Sequence, residues 1–251
     1  MTLHPTPKIN IGLNVLGKRS DGYHNLETLF YPYRALSDTL TIWPADGTEL
    51  EISIGNAAWN AQDDLCAKAW RLLRERYNIP GVRITLEKHI PVGAGLGGGS
   101  ADAVATLKGL DEMFSLNLSR ASLLEMSALL GSDCPFFVYD EPCFGSGRGE
   151  VLEPYDIDLG GYEIRLEMPA GESVSTAAAY AGLKLSGPVM PLREALKLPV
   201  EKWQGRVVND FEASVFPSHP AIESLKNRFL KEGAVFSSMT GSGAAVFGIF
   251  G

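Results

Sequence analysis

The most chemically informative segment of the chain is a run of glycines between residues 93 and 99. Five of these seven positions are glycine, within the segment P-V-G-A-G-L-G-G-G-S at residues 91–100, the glycine loop. Glycine lets the backbone approach a ligand closely, so that successive N–H groups can point at one anion. A helix predicted to start near Ser100 would add the positive end of its dipole. The loop is therefore predicted to bind phosphate through Pro91, Gly93, Gly95, Leu96, Gly97, Gly98, Gly99 and Ser100.

Two other interpretations of this spacing stay open. Gly93, Gly95 and Gly98 match G-x-G-x-x-G, which would suggest an NAD-dependent oxidoreductase. That motif belongs in the first strand-to-helix turn of its domain, whereas here two or three predicted strands and a helix come first. The other alternative is a tight turn without a ligand, which would lose much chain entropy on ordering so many glycines. No G-K-[ST] follows the glycines, so the segment is not a Walker A loop.

Hydrophobic periodicity predicts the elements that hold the glycine loop. Apolar residues alternate at Ile9, Ile11, Leu13 and Val15, which predicts a strand. Further strands are predicted at 40–43, 50–54, 82–86, 162–168, 235–239 and 245–250. Helices are predicted from Asp63 or Asp64 to about 77, after Ser100, and at 119–130, 175–183 and 221–230, with Gly131 as a C-terminal cap. This pattern indicates a two-layer α+β fold, divided into domains at 1–150 and 151–251 by the glycine-rich turn at 145–150.

Composition excludes several classes of protein. The formal net charge is −8 and no run of positive residues occurs, which argues against nucleic-acid binding. Three cysteines without a C-x-x-C argue against a disulfide framework or a zinc site and favour the reducing cytosol. No 18-residue apolar run occurs, so we expect neither a membrane span nor a membrane partner. The expected location is cytoplasmic, and the sequence does not indicate an oligomeric state.

Polar residues on the first strand are unusual for a solvent-facing surface. Lys8, Asn10, Gly12 and Asn14 share the face opposite the apolar residues. A turn-rich segment, G-K-R-S-D-G-Y-H, follows at 17–24.

Four segments resemble the motifs of the GHMP kinase superfamily: Lys8–His24, Pro91–Ala103, Gly131–Phe137 and Met239–Gly243. The D-G-Y-H block at 21–24 narrows the resemblance to members that phosphorylate cytidine diphosphate-linked methylerythritol on the route to isoprenoids that does not use mevalonate. The resemblance implies a ribosomal-S5-like N-terminal domain and a ferredoxin-like C-terminal domain. It also implies ATP with Mg²⁺ as phosphoryl donor and the 2-hydroxyl group of the methylerythritol as acceptor.

The resemblance assigns roles to individual residues. Asp133 would accept the hydroxyl proton, and Lys8 would keep Asp133 ionised and help neutralise developing charge. Lys88 matches a position at the edge of the nucleotide pocket. Ala101 departs from the family pattern, because a serine is common there, and Asp64 replaces an asparagine that often lines the adenine pocket.

The substrate side is implied in the same way. Asn10 would order the pocket, and Tyr23 and His24 would embrace the cytidine base. Tyr180 matches a second aromatic position, which would place the cytosine between two rings, and Thr176 matches a pocket hydroxyl. No metal ligand is identified; Asp102 is a candidate, although an acid in the first turn of a helix commonly interacts with the helix dipole.

Structural roles and other functions remain as alternatives. Lys8 can be a strand-edge lysine, Asp133 a helix cap, His24 a loop histidine, Tyr180 a core aromatic, and T-G-S-G at 240–243 a plain hairpin turn. Homoserine, mevalonate and galactose kinases would share the glycine loop but not D-G-Y-H. A member that binds without turnover would be expected to lose Lys8 or Asp133, and both are present.

Overall fold

The structure is a computed structural model that describes residues 1–47, 49–55, 59–183 and 190–251. The chain divides into two compact units. The first unit comprises residues 1–8, 32–92 and 97–141, and the second comprises 9–31, 93–96 and 142–251. The turn at 145–150 lies within the second unit, and the division of the chain into domains after residue 150 stays a prediction.

The elements of the described ranges follow in chain order. The strands are β1 (Thr2–Leu3), β2 (Lys8–Lys18), β3 (His24–Pro32), β4 (Thr39–Pro44), β5 (Leu50–Gly55), β6 (Val82–Glu87), β7 (Cys143–Ser146), β8 (Val151–Pro154), β9 (Glu163–Glu167), β10 (Phe236–Met239) and β11 (Val246–Phe250). The helices are α1 (Leu65–Tyr77), α2 (Gly98–Phe114), α3 (Arg120–Leu130), α4 (Cys134–Tyr139), α5 (Thr176–Ala181), α6 (Leu192–Leu196), α7 (Glu212–Val215) and α8 (Pro220–Lys231). Short 3-10 helices cover Ala61–Asp63 and Val200–Lys202.

The first unit packs helices against a four-stranded sheet of order β1-β4-β6-β5. Strand β5 runs parallel to β6, and the other pairs are antiparallel. Alternate residues of β4 and β6 are buried with the apolar faces of α1 and α2. Helix α1 begins where expected, because the Asp64 carboxylate caps it by accepting the N–H of Cys66 at 2.8 Å. The expected adenine contact of Asp64 stays a prediction.

The second unit contains two sheets, of order β2-β3-β7-β8 and β10-β11-β9. Leu13 and Val15 of β2 belong to a core that includes Phe229 of α8 and Val246 of β11. The predicted strands and helices are confirmed with shifts of a few residues at their ends. The sequence analysis missed β1, β3, β7, β8, α4, α6 and α7, and Gly131 ends α3 in an extended rather than a left-handed conformation. None of the helices in the described ranges has the length and apolar character that a membrane span needs.

Candidate active site

Lys8 and Asp133 form an ion pair in the first unit. The Lys8 Nζ lies 3.5 Å from the Asp133 Oδ2, and the exposed fraction of the side chain is 5% for Lys8 and 36% for Asp133. Burial lowers the pKa of Lys8, while the charge and hydrogen bond of Asp133 act in the opposite direction. Asp133 precedes α4, yet its side chain makes no capping hydrogen bond. The Asp133 side chain therefore does not cap α4, and it is partly exposed to solvent.

The second half of the glycine loop lies beside this pair. Gly97 caps the N-terminus of α2 with a φ of 69°, a conformation that disfavours other residues. A methyl group on Gly97 would lie 3.1 Å from the ring of Phe137 and 3.3 Å from the Cε of Lys8. Because the first N–H groups of a helix have no partner within it, the start of α2 offers donors close to Lys8. Helix α2 begins at Gly98, two residues earlier than the sequence predicts.

Ser100 and Cys134 connect the start of α2 to the start of α4. Burial raises the pKa of the Cys134 thiol to about 11, against the effect of a hydrogen bond from Ser100. Cys134 is fully buried, and such a thiol is a poor nucleophile at neutral pH. It serves as a small packing residue directly after Asp133.

The first half of the glycine loop contacts the T-G-S-G turn of the second unit. A side chain on Gly95 would overlap the carbonyl oxygen of Thr240, and the carbonyl of Ala94 accepts the N–H of Ala245 at 3.2 Å. Leu96 is buried, whereas Pro91 and Gly93 are exposed. The turn at 240–243 is thus a connection between β10 and β11 and also a support for the loop.

A buried hydrogen-bond network accounts for the polar face of β2. The side-chain amide of Asn10 donates to Thr28 Oγ1 at 2.9 Å, and the Asn10 backbone N–H donates to Thr240 Oγ1 at 2.9 Å. Asn209, which the sequence analysis missed, donates to the carbonyls of Met239 and Gly241 at 2.8 Å each. Asn10 therefore orders the T-G-S-G turn in this structure.

The aromatic residues of the predicted base site all lie in the second unit. His24 and Tyr180 stack directly, with centroids 4.8 Å apart and planes 21° from parallel, and Tyr180 also meets Phe211 edge-on. A base between two rings needs roughly 7 Å, which is twice a carbon–carbon contact distance. His24 and Tyr180 as they stand cannot be those two rings. Tyr23 is 57% exposed.

Two further contacts in the second unit involve residues of the predicted substrate site. The guanidinium of Arg148 lies 4.7 Å from the centroid of the Tyr23 ring. The hydroxyl groups of Thr176 and Ser242 are hydrogen-bonded at 2.9 Å, which joins the start of α5 to the T-G-S-G turn.

Similarity to known proteins now decides the family. A sequence model of the GHMP kinases N terminal domain matches residues 64–141, and a model of the GHMP kinases C terminal domain matches residues 192–251. A relative from Bacteroides thetaiotaomicron, named 4-diphosphocytidyl-2-C-methyl-D-erythritol kinase, is 44% identical over 254 residues, covering 100% of this chain and 92% of the relative. The chain belongs to the GHMP kinase family.

Solved structures agree with this assignment. A 4-(cytidine 5'-diphospho)-2C-methyl-D-erythritol kinase superposes with a TM-score of 0.85 at 32% identity, covering 99% of this chain and 90% of that one. A homoserine kinase from Cytophaga hutchinsonii superposes with a TM-score of 0.71 at 16% identity, covering 97% of this chain and 84% of that one. The second likeness shows the GHMP kinase fold alone.

Lys88 has partners in this GHMP kinase that the sequence analysis did not foresee. Its Nζ lies 2.6 Å from the Asp102 Oδ2 and also contacts the Asp38 Oδ2. We call Asp38, Lys88 and Asp102 the Lys88 cluster. Burial by itself lowers the pKa of Lys88, but the two carboxylates outweigh it and raise that pKa. The predicted place of Lys88 at the edge of the nucleotide pocket stays a prediction, and in this structure its ammonium group pairs with two buried carboxylates.

Asp102 does not fit the role of a metal ligand. It is 1% exposed, and its Oδ2 pairs with Lys88. Burial raises the pKa of Asp102 to about 7, Lys88 opposing this effect and Asp38 adding to it. Within the described part of the chain, no three histidine, cysteine, aspartate or glutamate residues gather closely enough to hold a metal ion.

Two cations hold the far end of α4, the helix that follows Asp133. Lys108 of α2 donates to the carbonyl of Phe137 at 2.8 Å. Arg34 donates to the carbonyl of Asp140 at 2.8 Å and pairs with its carboxylate at 3.2 Å. Cations at a helix C-terminus are favourable, and these contacts fix a helix of only six residues. No local sequence pattern marks either residue.

Proposed function

We propose that this GHMP kinase transfers the γ-phosphoryl group of ATP to the 2-hydroxyl group of 4-diphosphocytidyl-2-C-methyl-D-erythritol. The phosphoryl transfer is supported by the ion pair of Lys8 and Asp133, which lies beside Gly97 and in which the Asp133 side chain is partly exposed. The full-length similarity to relatives that carry the name of this kinase supports the substrate. The D-G-Y-H block at 21–24 supports it as well.

The reaction needs a base, a cation and a held triphosphate. Asp133 accepts the proton of the substrate hydroxyl group. At the same time the hydroxyl oxygen bonds to the γ-phosphorus, and the bond between the γ-phosphorus and the oxygen that leaves with ADP breaks. Lys8, whose ammonium is 3.5 Å from the Asp133 carboxylate, orients it and offsets charge on the transferring group. Positioning and charge stabilisation supply most of the catalysis in phosphoryl transfer.

ATP is assigned to the glycine loop and to the N-terminus of α2. The N–H groups at the start of this 17-residue helix suit an anion by their direction and by the helix dipole. Mg²⁺ in such reactions is held largely by substrate phosphates and only one or two carboxylates. A site without a protein cage is consistent with that chemistry, and we assign no protein ligand to the ion.

The cytidine group is assigned to the aromatic residues of the second unit. The exposed ring of Tyr23 and the rings of His24 and Tyr180 suit a stacked base, and the hydroxyl of Thr176 suits its polar edge. Because His24 and Tyr180 touch in the structure, a base enters beside them or after they separate.

An ADP-release assay with a panel of acceptors tests this function. The panel contains the cytidine diphosphate-linked methylerythritol, CDP alone, homoserine, mevalonate and galactose, with a reaction lacking any acceptor as background. We expect ADP release above background only with the cytidine-linked methylerythritol. Turnover of another acceptor at a higher kcat/KM would contradict the proposed substrate while leaving the kinase chemistry intact.

A further inference from the structure

Asp38 is a fully buried carboxylate that no sequence motif marks. It lies between β3 and β4, and three donors from consecutive residues converge on it. Its Oδ1 accepts the backbone N–H of His89 at 2.5 Å and that of Ile90 at 2.8 Å, and its Oδ2 contacts the ammonium of Lys88. Residues 88–90 directly precede the glycine loop, so one carboxylate fixes the backbone on which the loop begins.

The same cluster also fixes the residues that follow the loop. Lys88 reaches from Asp38 to Asp102, which is the fifth residue of α2. A methyl group on Gly98 would lie 2.8 Å from the Ile90 side chain and 3.3 Å from Lys88 Nζ. The two ends of the glycine loop are therefore held together at close range by the Lys88 cluster.

We propose that Asp38 is a positioning residue that presets the glycine loop for ATP. It sets ATP affinity through Lys88 and the backbone of residues 89 and 90, and it does not contact the nucleotide. This inference rests on the proposed function of the loop. Five glycines give the free loop wide conformational freedom, and donors that are already aimed lose less entropy on binding.

The charges of the cluster favour a positioning role over a simple contribution to stability. Two buried carboxylates share one ammonium, and the Asp102 Oδ1 is buried without a hydrogen-bond partner in the described structure. Unbalanced buried charge is unfavourable, and apolar residues would often stabilise a fold more. What the cluster supplies is a fixed direction, because charged hydrogen bonds hold a tighter geometry than apolar contacts.

Two substitutions at Asp38 separate its contacts. Asp38→Asn keeps one acceptor oxygen, so either the backbone contacts or the Lys88 contact is lost. Asp38→Ala loses both. Glu51→Gln is the matched control, because Glu51 lies on β5 of the same unit and also pairs with a cation, Arg83, at 2.7 Å, but both side chains are more than half exposed.

Hydrogen exchange of the protein without nucleotide tests the positioning directly. We expect faster exchange of the amides at 89–101 in Asp38→Asn, and more so in Asp38→Ala, with the amides of β4 and β6 little changed and Glu51→Gln like wild type. Unchanged exchange at 89–101 in Asp38→Asn overturns the proposal. Equal acceleration throughout the first unit also overturns it, because that result indicates a general loss of stability.

Steady-state kinetics test the consequence for ATP. The KM for ATP should rise about tenfold in Asp38→Asn, because a less ordered loop must be fixed when ATP binds, while the KM for the cytidine substrate stays within about twofold. An unchanged KM for ATP, or an equal rise for both substrates, contradicts the proposal. If wild type shows no kinase activity, the proposed function fails, whereas the exchange experiment still decides whether Asp38 positions the loop.

Discussion

Lys8 and Lys88 both pair with aspartates in the first unit, but their surroundings differ. Lys8 has Asp133 at 3.5 Å, and that carboxylate is about one-third exposed. Lys88 is bound between two carboxylates that are 0% and 1% exposed. The pKa shifts accordingly in opposite directions: burial lowers the pKa of Lys8 in spite of Asp133, whereas the carboxylates raise that of Lys88 in spite of burial.

The different exposure of their carboxylate partners suggests a chemical role for Lys8 and a structural role for Lys88. A base must meet its substrate, so a partly exposed carboxylate beside a cation, as Asp133 is beside Lys8, suits proton transfer. An ammonium that pairs with two buried carboxylates, as that of Lys88 does, suits the fixing of backbone segments. The glycine loop meets both groups at adjacent residues, because Gly97 abuts Lys8 and Gly98 abuts Lys88.

The largest effect is expected at Asp133, because its substitution tests whether the pair that Lys8 forms has the catalytic role that the pairs of Lys88 lack. Asp133→Asn should lower kcat by about 10²–10⁴ because the general base is lost, while calorimetry still detects binding of ATP and of the cytidine substrate. Lys8→Ala should lower kcat comparably. The double variant should lose less than the product of the two single losses, because the pair acts as a unit.

Asp140→Asn is the matched control for Asp133. Asp140 lies at the other end of α4, and the substitution removes only its exposed charge pair with Arg34 while the backbone carbonyl that Arg34 also binds is kept. The kcat of Asp140→Asn should therefore stay near the wild-type value. A near-normal kcat in Asp133→Asn would refute the assignment of the base and remove the distinction between the two lysines.

The next effect is expected at Gly97. Gly97→Val should abolish ATP binding in calorimetry, because the new side chain meets Phe137 and Lys8 and the backbone has a positive φ. Circular dichroism should still show a folded protein. Gly161→Ala is the control, since a methyl group there meets nothing within 4 Å. Wild-type ATP affinity in Gly97→Val would mean that the loop is only structural.

A smaller effect is expected at Tyr180, which is assigned to the cytidine group and not to the phosphoryl transfer. Tyr180→Ala should raise the KM for the cytidine substrate roughly tenfold, because base–aromatic stacking contributes about 1–3 kcal/mol. The KM for ATP should change little, and Tyr180→Phe should behave like wild type. Equal KM values in wild type and Tyr180→Ala would remove Tyr180 from the substrate site.

The smallest effect concerns the pH dependence of stability in the Lys88 cluster. The pKa of Asp102 is about 7 in the folded protein against an ordinary value of 3.8. Between these values the folded state binds more protons than the unfolded state, so stability falls as pH rises through this window. Asp102→Asn lacks this group, so its Tm relative to wild type should rise between pH 5 and pH 8.

Thermal unfolding at pH 5, 6.5 and 8 measures this difference, at about 2–4 °C for each kcal/mol. Glu51→Gln serves as the control, because this exposed carboxylate should leave the wild-type profile unchanged. Parallel profiles of wild type and Asp102→Asn would show that the excess charge of the cluster is relieved in another way.

Local patterns in the sequence determined much of this protein. Alternation at residues 9–15 and 82–86 predicted strands, a capping carboxylate predicted the start of α1, and the spacing of glycines predicted the loop before α2. These predictions succeeded because periodicity and capping depend on residues close together in the chain. The family followed from short motifs, and the similarity to known kinases confirmed it.

The roles of the two lysines depended on tertiary structure. Lys88 and Asp38 are 50 residues apart in the chain, and Asp38 carries no local signal. Lys8 and Asp133 were paired by resemblance, but only the structure places Nζ and Oδ2 3.5 Å apart. Burial and partners decide whether a lysine serves chemistry or holds a loop. Both are set by segments distant in sequence, so residue type and local spacing contain no record of them.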